Sequence, residues 1–348
     1  MKRLIFLSIL IQFFISCKND TNPNILIILT DDQGWGDLSI NGNTNLKTPN
    51  IDNIALNGAS FERFYVSPVC SPTRAELLSG KFFVRSGVNG VTRGYERMNT
   101  DVKLISDFFK GKKYKTGAFG KWHNGSQPPY HPNNRGFDEF YGFTSGHWGN
   151  YFDPILEKNG KIIKTEGYIN DVITNEAISF IEKSNKPFLS FISYNTPHSP
   201  MQVPDKYFDG KDILLRGRYS KRENIEKTKA AMGMIENIDE NIGNVVRLLK
   251  EKGVYENTII IFFSDNGPNG NRWNNDLKDR KGSTNEGGVR VPFFIQWPKN
   301  IKKGLKIKQI SSVLDVFPTL LELTGNESLN DLDGMSLKRF LDSPSLLD

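Results

Sequence analysis

Cysteine is almost missing from this chain. There are two, Cys17 and Cys70, in 348 residues, and histidine is nearly as scarce at four. So few thiols leave no room for a disulfide framework. No lysine/arginine block is long enough to form a nucleic-acid footprint, and the formal charge is only +6. Internal repeats and low-complexity tracts are also absent. The most apolar stretch, Leu4 to Ile15, is too short for a comfortable membrane span.

That stretch has another reading. MKRLIFLSILIQFFISCKND places two cations, an apolar run and Ser16-Cys17 in the order of a secretory signal. Cleavage before a cysteine resembles a bacterial lipoprotein signal. The expectation is a signal over 1–16, lipid on Cys17, and export to the outer membrane, facing the periplasm or the cell surface. Anchoring then comes from acyl chains. An ordinary signal with a chance Cys17 is the alternative. Loss of Lys2 and Arg3 lowers the formal charge from +6 to +4. With Cys17 lipidated, Cys70 has no disulfide partner, and an unpaired cysteine in an exported protein calls for a special explanation.

About 330 residues remain, enough for one large α/β domain or two unequal ones. The runs NILIIL (24–29), PFLSFIS (187–193), TIIIFF (258–263) and VPFFI (291–295) suit strands buried on both faces. Helical patterns cover 48–58, 166–185, 223–252 and 313–324, several closed by glycine. Alternation of the two predicts a largely parallel or mixed central sheet flanked by helices on both faces.

Chemistry in such sheets collects beyond the carboxyl ends of the strands. The first run continues as TDDQGWGD and the third as SDNGP, so Asp31-Asp32 and Asp265-Asn266 fall at two strand ends. Three crowded carboxylates repel unless a cation lies among them. Oxygen ligands of this kind suit Ca²⁺, with Mg²⁺ the smaller and more demanding alternative. Asp and Asn also commonly open turns after strands.

Cys70 opens CSPTRAELLSG, which predicts a short helix from about Pro72 to Ser79 closed by Gly80. At the positive helix end, with Arg74 one turn on, the thiol pKa is expected to fall and an anion to be favoured nearby. A buried small hydrophobe is the bland alternative.

Cys70-Ser71-Pro72-Thr73-Arg74 resembles the C-x-P-x-R signature of formylglycine-dependent (type I) sulfatases, arylsulfatase-like members of the alkaline-phosphatase superfamily. The resemblance covers nearly the whole sequence, 22–340, and implies an alkaline-phosphatase-like fold. It implies that a formylglycine-generating enzyme oxidises Cys70 to formylglycine (3-oxoalanine), whose hydrated aldehyde attacks sulfur. It implies that Asp31, Asp32, Asp265 and Asn266 hold Ca²⁺, with the modified Cys70 as a further ligand, and that Arg74 supports that residue. GKWH (120–123) matches the segment whose lysine and histidine flank the sulfate. Lys121 and Lys281 are thereby implied to clamp the sulfate, His198 or Lys281 to protonate the leaving oxygen, and His123 to act as base.

The expected substrate is a sulfated oligosaccharide, with marine algal polysaccharide such as ulvan foremost. Tyr141, His147, Trp148 and Tyr151 form either a sugar-stacking rim or a packed loop. One departure concerns the end of the chain. Family members usually continue past the D-G-x-S-L segment, here 333–337, into a small antiparallel subdomain, so a shortened catalytic domain is expected. Two other readings stay open: a phosphodiester or phosphonate hydrolase of the same superfamily, and an inactive glycan-binding lipoprotein.

Overall fold

The computed structural model describes residues 22–343. The expected signal, 1–16, and Cys17 lie outside the described residues. Among those described, eleven strands join one mixed sheet. They are β1 (Asn24–Thr30), β2 (Ala59–Tyr65), β3 (Lys115–Lys121), β4 (Glu139–Phe143), β5 (Ile155–Lys158) and β6 (Lys161–Lys164), then β7 (Phe188–Ser193), β8 (Thr258–Ser264), β9 (Arg290–Gln296), β10 (Leu305–Ile307) and β11 (Ser311–Ser312). The order is β10-β2-β9-β8-β1-β7-β3-β4-β5-β6, with β11 also on β2. Strands β8, β1, β7, β3 and β4 run parallel, while β9 and the β5–β6 hairpin run antiparallel to their neighbours.

The helices are α1 (Pro49–Leu56), α2 (Cys70–Ser79), α3 (Ile105–Gly111), α4 (Ile169–Lys183), α5 (Asp205–Phe208), α6 (Ile225–Glu251), α7 (Glu286–Val289), α8 (Val316–Leu323) and α9 (Lys338–Asp342). Every residue of β1 is buried, and its side chains alternate between two cores. Ile25, Ile27 and Leu29 pack with Leu77 of α2, Ile105 of α3 and Phe317 of α8. Leu26 and Ile28 pack with Ile51 of α1, Ile173 of α4 and Ile238 of α6. Covering both faces is why an unbroken apolar run is stable there, at about 1.5–3 kcal/mol per large side chain buried.

The four apolar runs are strands and the four helical patterns are helices, with α6 capped by Asn224 accepting from the Lys227 amide at 3.0 Å. The last pattern begins as a 3-10 turn over Val313–Asp315 before α8. Helix α2 starts at Cys70, two residues before the expected Pro72, and all ten of its residues are buried. Strand β3 gave no apolar run because it contains Gly117 and Gly120. At Gly120 (φ +107°) a Cβ would lie 2.0 Å from the Ser193 carbonyl oxygen, so the close approach of β3 to β7 requires glycine. No helix of the described residues is long and apolar enough to cross a membrane.

Candidate active site

Four adjacent parallel strands, β8, β1, β7 and β3, end at one edge of the sheet, and the predicted residues gather there. Thr30 lies in register with Ser264, so Asp31-Asp32 and Asp265-Asn266 leave β1 and β8 side by side. Lys121 is the last residue of β3, and His198 follows β7. Helix α2 brings Cys70 to the same place: Sγ and carboxylate oxygens of Asp31 and Asp265 lie within 4.8 Å of one another.

The carboxylates are held tightly. Asp31 Oδ2 accepts from Lys121 Nζ at 2.6 Å, and Asp32 Oδ1 accepts from Lys281 Nζ at 2.5 Å and Asn266 Nδ2 at 2.8 Å. Asp265 Oδ1 accepts the Asp32 amide at 3.2 Å, and its Oδ2 accepts from Arg74 Nε and Nη2 at 3.1 and 2.9 Å. Three oxygens are left over: Asp31 Oδ1, Asp32 Oδ2 and Asn266 Oδ1 are buried with no hydrogen-bond partner. A buried acceptor without a partner costs about 1–3 kcal/mol. Three together, all hard oxygens, fit a bound cation.

Charge perturbs these groups in opposite directions. Burial works against ionisation of Asp31, yet Lys121, His198 and Lys281 hold it far below the usual carboxylate range. Burial and the facing Asp31 push Asp265 up despite Arg74. Burial opposes the charge on Lys281, but Asp32 and Asp31 raise its pKa.

The cleft itself has a volume of about 360 Å³ and is lined by Cys70, His123, His147, His198 and Lys281 among others. His123 Nε2 donates to the Val91 carbonyl at 2.8 Å, leaving Nδ1 buried and unpartnered. Burial, then Lys121, holds its imidazole well below its usual range. A Cβ on Gly146 would fall 2.1 Å from His123 Nε2, so only glycine leaves room for this ring. His198 Nδ1 donates to the Ser199 carbonyl at 2.7 Å, and its Nε2 lies 3.8 Å from Asp32 Oδ2.

Some expectations change. The Cys70 thiol pKa is raised, because burial outweighs Lys121 and Lys281, and Asp31 and Asp265 add repulsion. Arg74 is fully buried and turns sideways. Besides Asp265 it donates to the Lys121 carbonyl and Ser193 Oγ, so it ties the ends of β8, β3 and β7 together and offers the cleft no free cation. Of the residues read as either a sugar-stacking rim or a packed loop, only His147 is exposed, its ring 5.5 Å from that of His198. Trp148 is half-buried with its ring stacked on Phe143, and Tyr141 is buried in the core. Tyr151 is wholly buried and donates to the His198 carbonyl at 2.9 Å, so it positions the histidine loop.

Two residues escaped the sequence reading. Arg272 Nε bonds both Asp37 oxygens at 2.9 and 2.8 Å, and its Nη2 donates to the Asp32 carbonyl at 2.6 Å. The pair is buried and holds Asp32 in its left-handed conformation (φ +65°). Asp37 closes the TDDQGWGD stretch, but its partner stands 235 residues away with no local signal.

Known proteins share this chain's sequence pattern and fold. The family model described as Sulfatase matches residues 23–326. N-acetylgalactosamine-6-sulfatase of Mus musculus is 31% identical over 360 residues, covering 90% of this chain. The chain spans 65% of that relative's length. The solved structure of Ps i-CgsB in complex with k-i-k-neocarrahexaose is 35% identical with a TM-score of 0.82, over 92% of this chain and 76% of the other. BT4656, solved in complex with its substrate D-glucosamine-2-N,6-O-disulfate, is 25% identical with a TM-score of 0.79, over 93% and 81%. With its family model matched along most of its length and its acidic strand ends gathered under Cys70, the chain belongs to the sulfatase family.

Proposed function

We propose that this protein hydrolyses sulfate esters on oligosaccharides in the cleft that Cys70 lines. The observation that carries the reading is the trio of unpartnered oxygens from Asp31, Asp32 and Asn266, beside the Cys70 cleft and two lysines. Those oxygens with Asp265 would hold Ca²⁺, which when bound neutralises the carboxylates and polarises sulfate oxygens. Conversion of Cys70 by a formylglycine-generating enzyme would supply a hydrated aldehyde with one hydroxyl to attack sulfur and a second to release sulfate afterwards.

The chain's own groups do the rest. Lys281, at 17% side-chain exposure, is the cation an entering sulfate meets, while Lys121, at 1%, keeps Asp31 ionised from beneath. The bond from His198 Nδ1 to the Ser199 carbonyl fixes that ring and leaves Nε2 to hold the proton that the leaving alcohol takes. His123 has its Nε2–H committed to the Val91 carbonyl, so its Nδ1 lone pair is the base of the second half-reaction. Arg74 acts at a distance from substrate by keeping Asp265, Lys121 and Ser193 in register.

The proposed substrates are sulfated sugars. Support comes from the relatives, one named for N-acetylgalactosamine-6-sulfate and others solved with a neocarrahexaose and a disulfated glucosamine. Ulvan fragments belong in the same panel. Export with lipid on Cys17 is part of the proposal, and mass spectrometry of the membrane fraction tests it.

The test of activity is sulfate release from such a panel by protein co-expressed with a formylglycine-generating enzyme, beside its Cys70→Ala variant. Release should depend on Cys70. Release retained in the variant, or faster turnover of a phosphodiester, would overturn the reading.

A further inference from the structure

The catalytic cleft has a neighbour. A second cleft, of about 470 Å³, opens where the segments after β7 and β8 meet the start of α6. Ser199 and Arg280 line it, while their chain neighbours His198 and Lys281 line the catalytic cleft. Consecutive Cα atoms lie about 3.8 Å apart. The two clefts therefore adjoin along two separate segments, near enough for one oligosaccharide to enter both.

The second cleft is cationic. Arg222, Lys227 and Arg280 line it, all are exposed, and none makes an ion pair among the described residues. Among the described residues the side chain of Arg280 donates only to Asn271 Oδ1, at 3.4 Å. Arg272, the fourth cation there, is committed to Asp37. The adjacent acid, Glu223, is not among the lining residues; its Oε1 accepts from the Thr228 hydroxyl at 2.8 Å and it forms no ion pair with the exposed three. The amides of Asn224, Asn269 and Asn271 stand among the cations. Cations beside amides suit an anionic group carried on a hydroxyl-rich sugar.

We propose that this cleft is a second anion-recognising subsite, holding a sulfate or carboxylate on the sugar next to the one whose ester is cleaved. The preferred substrate is then a polyanionic oligosaccharide rather than an isolated sulfate ester. This rests on the sulfatase reading above.

Three probes test it: a disaccharide with one sulfate, the same disaccharide with a second sulfate on the adjoining sugar, and one with a uronic acid there. Values of kcat/KM are compared between the wild type and an Arg222→Ala/Lys227→Ala double variant whose fold is checked by thermal melting. Binding to Cys70→Ala protein is measured by calorimetry, which needs no turnover. The wild type should favour a dianionic probe, and that preference should fall about tenfold in the double variant and weaken with salt. Preference for the second sulfate or for the uronic acid identifies the anion. Equal kcat/KM and equal affinity for all three probes would overturn the subsite, as would a preference that survives in the double variant. Absence of sulfate release from every probe by protein with converted Cys70 would sink the sulfatase reading instead, while calorimetry still reports on the subsite.

Discussion

Stripping divalent cations from this protein should lower its stability measurably. Asp31 Oδ1, Asp32 Oδ2 and Asn266 Oδ1 are buried without partners, and burial, then the facing Asp31, raises the pKa of Asp265. Each unsatisfied acceptor costs about 1–3 kcal/mol, so an ion bound to all three has several kcal/mol to recover. A ligand at a hundredfold its dissociation constant stabilises by about 2.7 kcal/mol through mass action alone. For a chain of this size that is a rise in Tm of about 4 °C. The assay is scanning calorimetry on chelator-dialysed protein, titrated with Ca²⁺ and separately with Mg²⁺. Ca²⁺ should act at lower concentration, because it accepts the irregular oxygen geometry that Mg²⁺ resists. An Asp31→Asn variant should start lower, having weakened the Lys121 pair, and should lose most of the Ca²⁺ increment. A Tm that moves less than about 1 °C with saturating Ca²⁺ would show that the three oxygens hold no Ca²⁺, as would an increment undiminished in Asp31→Asn.

Arg74→Met should destabilise the fold by about 3–5 kcal/mol, since it strands the fully buried Asp265 carboxylate; urea unfolding in chelator measures it, and a loss below about 1 kcal/mol would contradict the three-strand tie. Glu76, 4% exposed on α2, is pushed up to about 7 by burial despite its bond from the Ser67 hydroxyl. Because the folded state binds that proton more tightly than the unfolded chain, this group's stability contribution is greatest at low pH and falls as pH rises from about 4.5 through 7. Between pH 5 and 8 the wild type should lose about 2–3 kcal/mol more than Glu76→Gln; equal losses would remove Glu76 as the cause. His198→Gln should lower kcat about 10²–10⁴-fold on a substrate with a poor leaving group and much less on an activated aryl sulfate, and equal losses on both would show that His198 is not the proton donor.

Local patterns carried much of this protein. Continuous apolar runs specify β1, β7 and β8 because strands buried on both faces need no polar alternation, and glycine ends α2 at Gly80 (φ +65°). The acidic pairs were legible as oxygen-bearing strand ends because each follows such a run directly. Strand β3 was not, since its glycines serve an approach to β7 that no local pattern records.

Sequence alone thus singled out the residues proposed to carry chemistry: Asp31, Asp32, Cys70, Lys121, His123, His198, Asp265, Asn266 and Lys281. It did not determine what each one touches. The direction of Arg74, which bonds a partner 191 residues away, follows from strand order, as does the Arg272–Asp37 clasp. Burial of Tyr151, the raised pKa of Cys70 and the cationic cleft beside the site also arise only once distant segments pack. The physical reason is range. Periodicity and capping act over a few residues, whereas desolvation and charge pairing depend on neighbours that only the folded sheet brings together.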